Sequence, residues 1–534
     1  MFRPLIPSMS LLRKTNKRSI WNNGSLRKAT HLVDWPWLPW IASTLAVLIY
    51  GMYFFVLDHQ LLVNDFFGYV WMALEDRANG LGSSTNSVAP AGYPILLNLL
   101  HAFGLDYINA GRVLTLVATI PLLSFVWIGA SRWGDLPWAG PVAWLLTATS
   151  YQFILAAATP LPDLIALSLT MPMIVLSLKP DRSFHILVFS AFLMGLACGI
   201  RYFFIQSVVP LTVLLLLFSN SVPLRKRISD GCFFVIGLIV GLLPEIICAL
   251  RAGHVPFQNS SKYYLTLLVG DTDFSMTGTQ LRNMPSTLEY IRNHVDKVLT
   301  AWSTGYAQNV GTFVLIPTAT WLLAEKIGEM LKQERVKVRI RRELILLLVF
   351  QTIVLIPFSL RQPLPYYVTP LLLCISFIIL SVPVIRLAGI NKATASAVII
   401  CLSIFCVYQV HSALLTLSNN RQVVFNNIVA SELYSLGVRD SAEVLNLAAP
   451  FHLYWPYGDK SPLLYYTAKE PGWLSLTNTF GQKRPFIYTI TKATVSRFRI
   501  VLMRPILSPD KDEFLSGFEL VKEIEGVQIY KSAQ

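Results

Sequence analysis

Apolar stretches of roughly 20 residues, long enough to cross a bilayer as a helix, recur from Leu38 to about His411 with short polar breaks between them. Beyond that point the pattern turns polar and mixed. The alternation predicts a mostly α, polytopic membrane helix bundle over 38–413, a basic lead over 1–37, and a tail over 414–534 long enough for one small domain.

Within the body the pattern places about eleven spans, near 38–57, 106–130, 138–158, 161–178, 185–204, 206–219, 231–250, 301–323, 344–360, 368–385 and 395–413. The apolar block 92–130 decides the count. If 92–104 lies at the interface or re-enters it, the basic lead, "LRKR" at 224–227 and "KQERVKVRIRRE" at 332–343 share one side. Two crossings in that block would put both later clusters opposite the lead, against the retention of Lys and Arg in the cytoplasm. The eleven-span reading therefore expects a cytoplasmic N-terminus, with 58–89, the loop 251–300 and the tail extracytoplasmic.

Between the first two spans, "LLVNDFFGYVWMALEDRANG" at 61–80 predicts a helix, with Asn64 as N-cap, Gly80 as stop, and Phe66, Phe67, Val70, Trp71 and Leu74 on one face. At about 1.5 Å per residue it is roughly 20 Å long, too short to span, so it should lie in the interface. Asp65 opens it, where a carboxylate favours the positive end of the helix dipole, and Tyr69 follows one turn later. In the tail, 421–436 predicts a helix ended by Gly437, followed by strands in "AEVLNLAA", "RPFIYTITK" and "FRIVLMRPI". A terminal hairpin in "FELVKEIEGVQIYKS", turning at Glu525 and Gly526, completes a small α/β domain. The aromatics of "FHLYWPYGDK" are expected in its core.

Composition excludes a soluble protein: 54% of residues are hydrophobic, 14% are charged, and the mean hydropathy is +0.53. The net charge of +14 lies in short loops between spans, which fits membrane sidedness and gives no nucleic-acid face. Arg13, Lys14, Lys17, Arg18, Arg27 and Lys28 are spread over a long polar lead with no small-residue cleavage site after the first span, so that span reads as an anchor. Cys198, Cys232, Cys248, Cys374, Cys401 and Cys406 all fall in apolar segments without paired spacing, which indicates neither disulfides nor zinc. Asp271 and Asp273 form a D-x-D, but two acids fall short of the six or more oxygen ligands that a hard cation takes, and His59, His101, His254 and His294 lack ligand spacing. No cofactor is expected, and a divalent metal is not favoured.

Several short motifs follow in order. Asp65 and the helix 65–79 come first, then "PAGYPILLNLLHAFG" at 90–104, Arg112 in "LDYINAGRVL", and Pro162–Asp163 opening a later span. "GLACGIRYF" with Arg201 and Tyr202, and "RQPLPYYVTP" with Arg361 and Tyr366, complete the set. Over about 38–420 this order resembles the GT-C type multi-spanning glycosyltransferases, in particular the protein-mannosyltransferase and aminoarabinose-transferase-like group. The first loop departs from that family in carrying "NDFF" in place of an acidic pair or His–acid grouping, and the long polar insert of the eukaryotic protein mannosyltransferases is absent.

The resemblance implies transfer of a sugar, with inversion, from a polyprenyl-phosphate sugar to a lipid, glycan or protein acceptor at the outer face of a bacterial inner (plasma) membrane. It points to Asp65 as the base that takes the acceptor's proton, which requires hydrogen-bond reach. Asp163 is the second catalytic candidate, able to orient the acceptor, pair with an arginine or cap its helix. A phosphate leaving group needs cations and oriented donors more than an acid, which singles out Arg201, Arg361, Arg112 and Lys262. Tyr69, Tyr93, Tyr202 and Tyr366 are the substrate-contacting candidates. A secondary transporter, or a lipid-linked polysaccharide ligase or polymerase, would share the hydropathy. A transporter should show repeated halves and ionisable groups at mid-membrane, whereas here the polar candidates gather on one face and no internal repeat is visible.

Overall fold

The computed structural model describes residues 35–56, 64–85, 89–134, 136–177, 182–218, 222–253, 289, 292–293, 295–330, 342–358, 368–418, 428–429, 431–438, 444–447, 499–503, 515–524 and 527–533. Helix α1 (Leu38–Gly51) continues through a π-helical turn (Met52–Val56) and is followed by α2 (Asn64–Asn79), α3 (Gly92–Ala102), α4 (Tyr107–Gly134), α5 (Ala139–Thr149) and α6 (Tyr151–Ala158). Then come α7 (Pro162–Ser177), α8 (Phe184–Ile200), α9 (Phe203–Phe218) and α10 (Leu224–Arg251). Helix α11 (Val295–Val310) joins α12 (Ile316–Met330) through a π-helical turn (Gly311–Leu315), and α13 (Arg342–Phe358), α14 (Thr369–Ala388) and α15 (Lys392–Ser418) close the bundle.

Each of the eleven expected spans contains helix where described, but Arg201 and Tyr202 interrupt the one expected over 185–204. Among the described residues, six segments are long and apolar enough to cross a membrane by themselves: Leu38–Phe55, Tyr107–Trp133, Leu224–Arg251, Gly305–Ile327, Thr369–Ala388 and Lys392–Ser418. Four more are shorter apolar helices, and the eleventh is a broken pair, α5 and α6, bent by 61°. The bend differs from the single span expected over 138–158, and Ser150 is its cause. Ser150 takes an extended conformation (φ −68°, ψ 138°), and its hydroxyl accepts from Phe153 N at 3.4 Å, so it ends one helix and caps the next. These helices make the chain an integral membrane protein.

The block 92–130 forms two separate helices. Helix α3 has 11 residues, roughly 16 Å at 1.5 Å per residue, too short to cross. It ends at a left-handed Gly104 (φ 93°) before α4 begins. Helix α4 lies at the centre, packed on α1, α5, α7 and α14; its Leu122, Leu123, Val126 and Ala130 are fully buried, as are Leu371, Cys374 and Ile379 of α14.

Helices α8 and α10 pack closely, and this follows from small residues at four-residue spacing on both. A Cβ on Gly195 would stand 2.4 Å from Leu238 O, one on Gly237 2.5 Å from Val188 O, and one on Gly241 2.1 Å from Phe192 O. Gly199, one turn beyond Gly195, faces Glu245, one turn beyond Gly241. At the opposite end of this seam Arg182 and Asp230 form a buried ion pair at 3.0 Å.

In the tail, β1 (Val444–Leu447), β2 (Ile500–Met503), β3 (Phe518–Ile524) and β4 (Val527–Ser532) form one sheet in the order β1-β2-β4-β3. β1 and β2 are parallel, and β3 and β4 are the expected hairpin, paired Ile524 to Val527. Gly437 has φ 80°, and the Arg499 guanidinium donates to Leu436 O at 3.0 Å, so the helical turn before the sheet stops where expected. The strand expected in "RPFIYTITK", the aromatics of "FHLYWPYGDK" and the turn at Glu525 and Gly526 lie outside the described residues.

Candidate functional site

Helix α8 stops at Ile200, and Arg201 leaves helical geometry (φ −149°, ψ 111°) while its N–H still bonds Ala197 O at 2.9 Å. Helix α9 resumes at Phe203. The short break throws the Arg201 side chain sideways, toward the start of α7. There Asp163 follows Pro162 in the first turn, a position where a carboxylate meets the helix dipole. Nε of Arg201 stands 3.1 Å from Oδ1 of Asp163, with side-chain exposures of 13% and 6%.

A third residue closes on the same guanidinium: Arg201 Nη1 donates to the Tyr69 hydroxyl. Tyr69 belongs to α2 and is buried, and its ring meets the Tyr93 ring edge-on at 5.1 Å. Tyr93, fully buried at the start of α3, donates its hydroxyl to Pro160 O at 2.8 Å, just ahead of α7. Gly111 of α4 packs beneath, where a Cβ would stand 2.6 Å from Phe66 and 3.0 Å from both Pro160 and the Tyr93 hydroxyl. Helices α2, α3, α4, α7 and α8 therefore meet at one end of the bundle around Asp163, Arg201, Tyr69 and Tyr93.

The remaining expected residues fall as follows. Arg112, next to Gly111, donates to Asn109 Oδ1 at 2.9 Å and lies over the Phe55 ring at 5.5 Å. The Tyr202 hydroxyl points to Glu245, away from Tyr69. Asp65 lies in the first turn of α2, as the sequence predicts, with its side chain outside the described residues. Lys262, Arg361, Tyr366, Asp271 and Asp273 also lie outside them, as do His59, His254 and His294. His101 stacks on Tyr107 at 4.4 Å, and its Nδ1 is 2.8 Å from Leu105 O, an engaged helix-end position. Among the described residues no group of three or more His, Cys, Asp or Glu could hold a metal.

Beside this cluster, two buried acids escaped the sequence reading. Glu245 of α10 accepts from Thr85 Oγ1 at 3.1 Å, from Ala91 N at 2.9 Å and from the Tyr202 hydroxyl. Asp76, near the end of α2, accepts from Ser84 N at 2.9 Å and from Ser83 Oγ at 3.4 Å. Burial raises the Asp76 carboxyl above its ordinary value, and these hydrogen bonds oppose that shift in part. Together the two acids hold both ends of the turn between α2 and α3. Gly82 makes the turn possible, with φ 77° and a missing Cβ that would stand 2.3 Å from Cys248 Sγ. A signal for Glu245 was present: it is the lone charged residue of the apolar run 231–250.

No protein-family model and no curated relative matches the sequence. Among solved structures the chain is similar to ArnT from Cupriavidus metallidurans bound to undecaprenyl phosphate, with a TM-score of 0.53 and 14% identity over 92% of this chain and 97% of that one. It is similar also to the same protein in the apo state, with a TM-score of 0.53 and 13% identity over 94% and 98%. The chain has an ArnT-like fold over nearly its whole length.

Proposed function

We propose that this chain is a membrane glycosyltransferase that moves a sugar from a polyprenyl-phosphate-linked donor to an acceptor hydroxyl or amine, with inversion. The observation that carries the reading is the Asp163–Arg201–Tyr69 cluster where α2 and α3 close one end of the bundle. Its support is a fold shared with a protein whose structure contains undecaprenyl phosphate. In this reading the membrane is a bacterial inner membrane, and the Lys and Arg distribution supports an extracytoplasmic site and tail domain with a cytoplasmic N-terminus.

In this chemistry the acceptor oxygen or nitrogen attacks the anomeric carbon as the bond from that carbon to the phosphate oxygen breaks. The electron pair leaves on the phosphate, and Asp65 takes the acceptor's proton. Arg201 supplies a cation whose direction is set before the donor arrives, because Asp163 holds one edge of its guanidinium and Tyr69 another. Arg112, Lys262 and Arg361 add charge for the phosphate. Tyr93 supports Tyr69 from below, Tyr366 borders the substrate, and Tyr202, whose hydroxyl is turned to Glu245, does not.

The test uses the full chain in lipid nanodiscs, with undecaprenyl phosphate binding and sugar transfer from a polyprenyl-phosphate sugar as readouts. Asp65→Asn should lose about 10²–10⁴-fold in transfer and still bind undecaprenyl phosphate, while Arg201→Gln should bind it measurably more weakly. Unchanged transfer by a folded Asp65→Asn protein removes the base assignment. Substrate flux across sealed vesicles without glycosyl product would show a transporter instead.

A further inference from the structure

Glu245 is a carboxylate buried within a membrane-length helix, and the proposed chemistry does not use it. Three donors from three segments bond to it: Thr85 from the turn after α2, Ala91 from the N-cap of α3, and Tyr202 from the break between α8 and α9. The Ala91 N–H is among the donors that a helix start leaves without an intrahelical partner. Glu245 thus caps α3 from another helix. Gly199 makes the approach possible, since a Cβ there would already stand 3.1 Å from the Glu245 Cβ.

These contacts close a circuit. Tyr202 is the chain neighbour of Arg201, and Ala91 precedes Tyr93 by one residue, Gly92, whose own missing Cβ would stand 2.5 Å from Gly199 O. Arg201 and Tyr93 both touch Tyr69. Passing through Glu245, Tyr202, Arg201, Tyr69, Tyr93 and Ala91, the path returns to Glu245. Asp163 joins it at Arg201, and Pro160 joins it at Tyr93.

We infer that Glu245 is a positioning residue for the site: one carboxylate fixes the backbone on both sides of Tyr69, and so sets where the Arg201 guanidinium points. Removing it takes the shared acceptor from the Ala91 N–H and the Tyr202 hydroxyl in a low-dielectric interior, where a lost hydrogen bond is costly. That loss loosens the α3 start and the Arg201–Tyr202 break. Loosening at either place moves Arg201 relative to Tyr69.

The test compares Glu245→Leu with Glu245→Gln in the full chain. Glutamine keeps an acceptor oxygen and the shape, so it should rescue. Amide hydrogen exchange should rise in Glu245→Leu at 85–93 and 200–204, and also at 66–73, outside the segments that donate these three hydrogen bonds. Exchange that rises only at 85–93 overturns the inference. The functional half rests on the donor-phosphate reading: Glu245→Leu should weaken undecaprenyl phosphate binding about tenfold, and Glu245→Gln much less. The same change made in an Arg201→Gln background should add no further loss, whereas a full additional loss would show that Glu245 acts on general stability and not through Arg201. A wild-type protein that does not bind undecaprenyl phosphate overturns the proposed function, and the exchange pattern still decides the positioning role. If Glu245→Leu does not fold, Tyr202→Phe cuts one arm alone and should loosen 200–204 and 66–73 with 85–91 unchanged; exchange at the wild-type level in 66–73 overturns the circuit.

Discussion

Asp163 and Arg201 form an ion pair at 3.1 Å across two helices, and both side chains are largely withdrawn from solvent. Neither charge is affordable there alone, since removing one partner of a buried pair leaves the other uncompensated and costs about 3–5 kcal/mol. Arg201→Gln and Asp163→Asn should each lower the unfolding temperature of the purified protein. The double variant should lose clearly less than the sum of the two, because the second change removes a charge the first has orphaned. Thermal unfolding of the four proteins in detergent measures this, and strictly additive losses would show that the two groups do not sustain each other.

Tyr69 separates packing from hydrogen bonding at the same guanidinium. Tyr69→Phe keeps the edge-on contact with Tyr93 and removes the hydroxyl that Arg201 reaches. A neutral acceptor bonded to a charged donor contributes about 1.5–3 kcal/mol. Part of that should appear as a lower unfolding temperature and part as weaker undecaprenyl phosphate binding, read by titration in nanodiscs. Binding and stability both at the wild-type level would remove Tyr69 from the site.

How much of this was legible beforehand depended on whether a feature was local. Helix α2 could be read from Asn64, Gly80 and the apolar face between them. Asp163 and Arg201 each stood out as polar residues in apolar runs. Pairing with an arginine was one of the roles open to Asp163, but which arginine could not be read, because it depends on where α8 breaks and on how closely the Gly195–Gly241 seam draws α10 against it. Glu245 passed unnoticed for a related reason: its partners Thr85, Ala91 and Tyr202 lie in three distant stretches. A four-residue rhythm of Gly237, Gly241 and Glu245 was nonetheless present, and it puts the acid on the packed face of α10. The bend at Ser150 was invisible because a serine in an apolar helix commonly bonds back to its own turn without ending it.

Asp76 gives a pH dependence with a definite sign. Burial raises its pKa above the ordinary 3.8, so the folded state favours the neutral acid. The stability this contributes is complete below the unfolded value and is lost as pH rises through the folded one. Asp76→Asn keeps an oxygen to accept from Ser84 N and cannot ionise. The variant should match the wild type in acid and become relatively more stable as pH rises toward neutral, as measured by unfolding temperature across that range. A wild type that gains on the variant with rising pH would show that hydrogen bonding outweighs burial at Asp76.

The α8–α10 seam carries the last prediction, because it sets the reach of Glu245. A Cβ on Gly241 would stand 2.1 Å from Phe192 O and 2.9 Å from Gly195 Cα, both backbone atoms. Gly241→Ala can therefore be accommodated only by separating the helices. Overpacking of this kind costs about 1–3 kcal/mol, against a gain of up to about 1 kcal/mol in helix propensity. Gly231, on the same helix, has nothing within 4 Å of the added Cβ, so Gly231→Ala should collect the propensity gain alone. Thermal unfolding should rank Gly231→Ala at or above the wild type and Gly241→Ala below it. Separation at Gly241 also draws Glu245, one turn further on, away from Tyr202, so Gly241→Ala should raise amide exchange at 200–204. Equal stability of the two alanine variants would mean that the helices are not held at the distance these glycines permit.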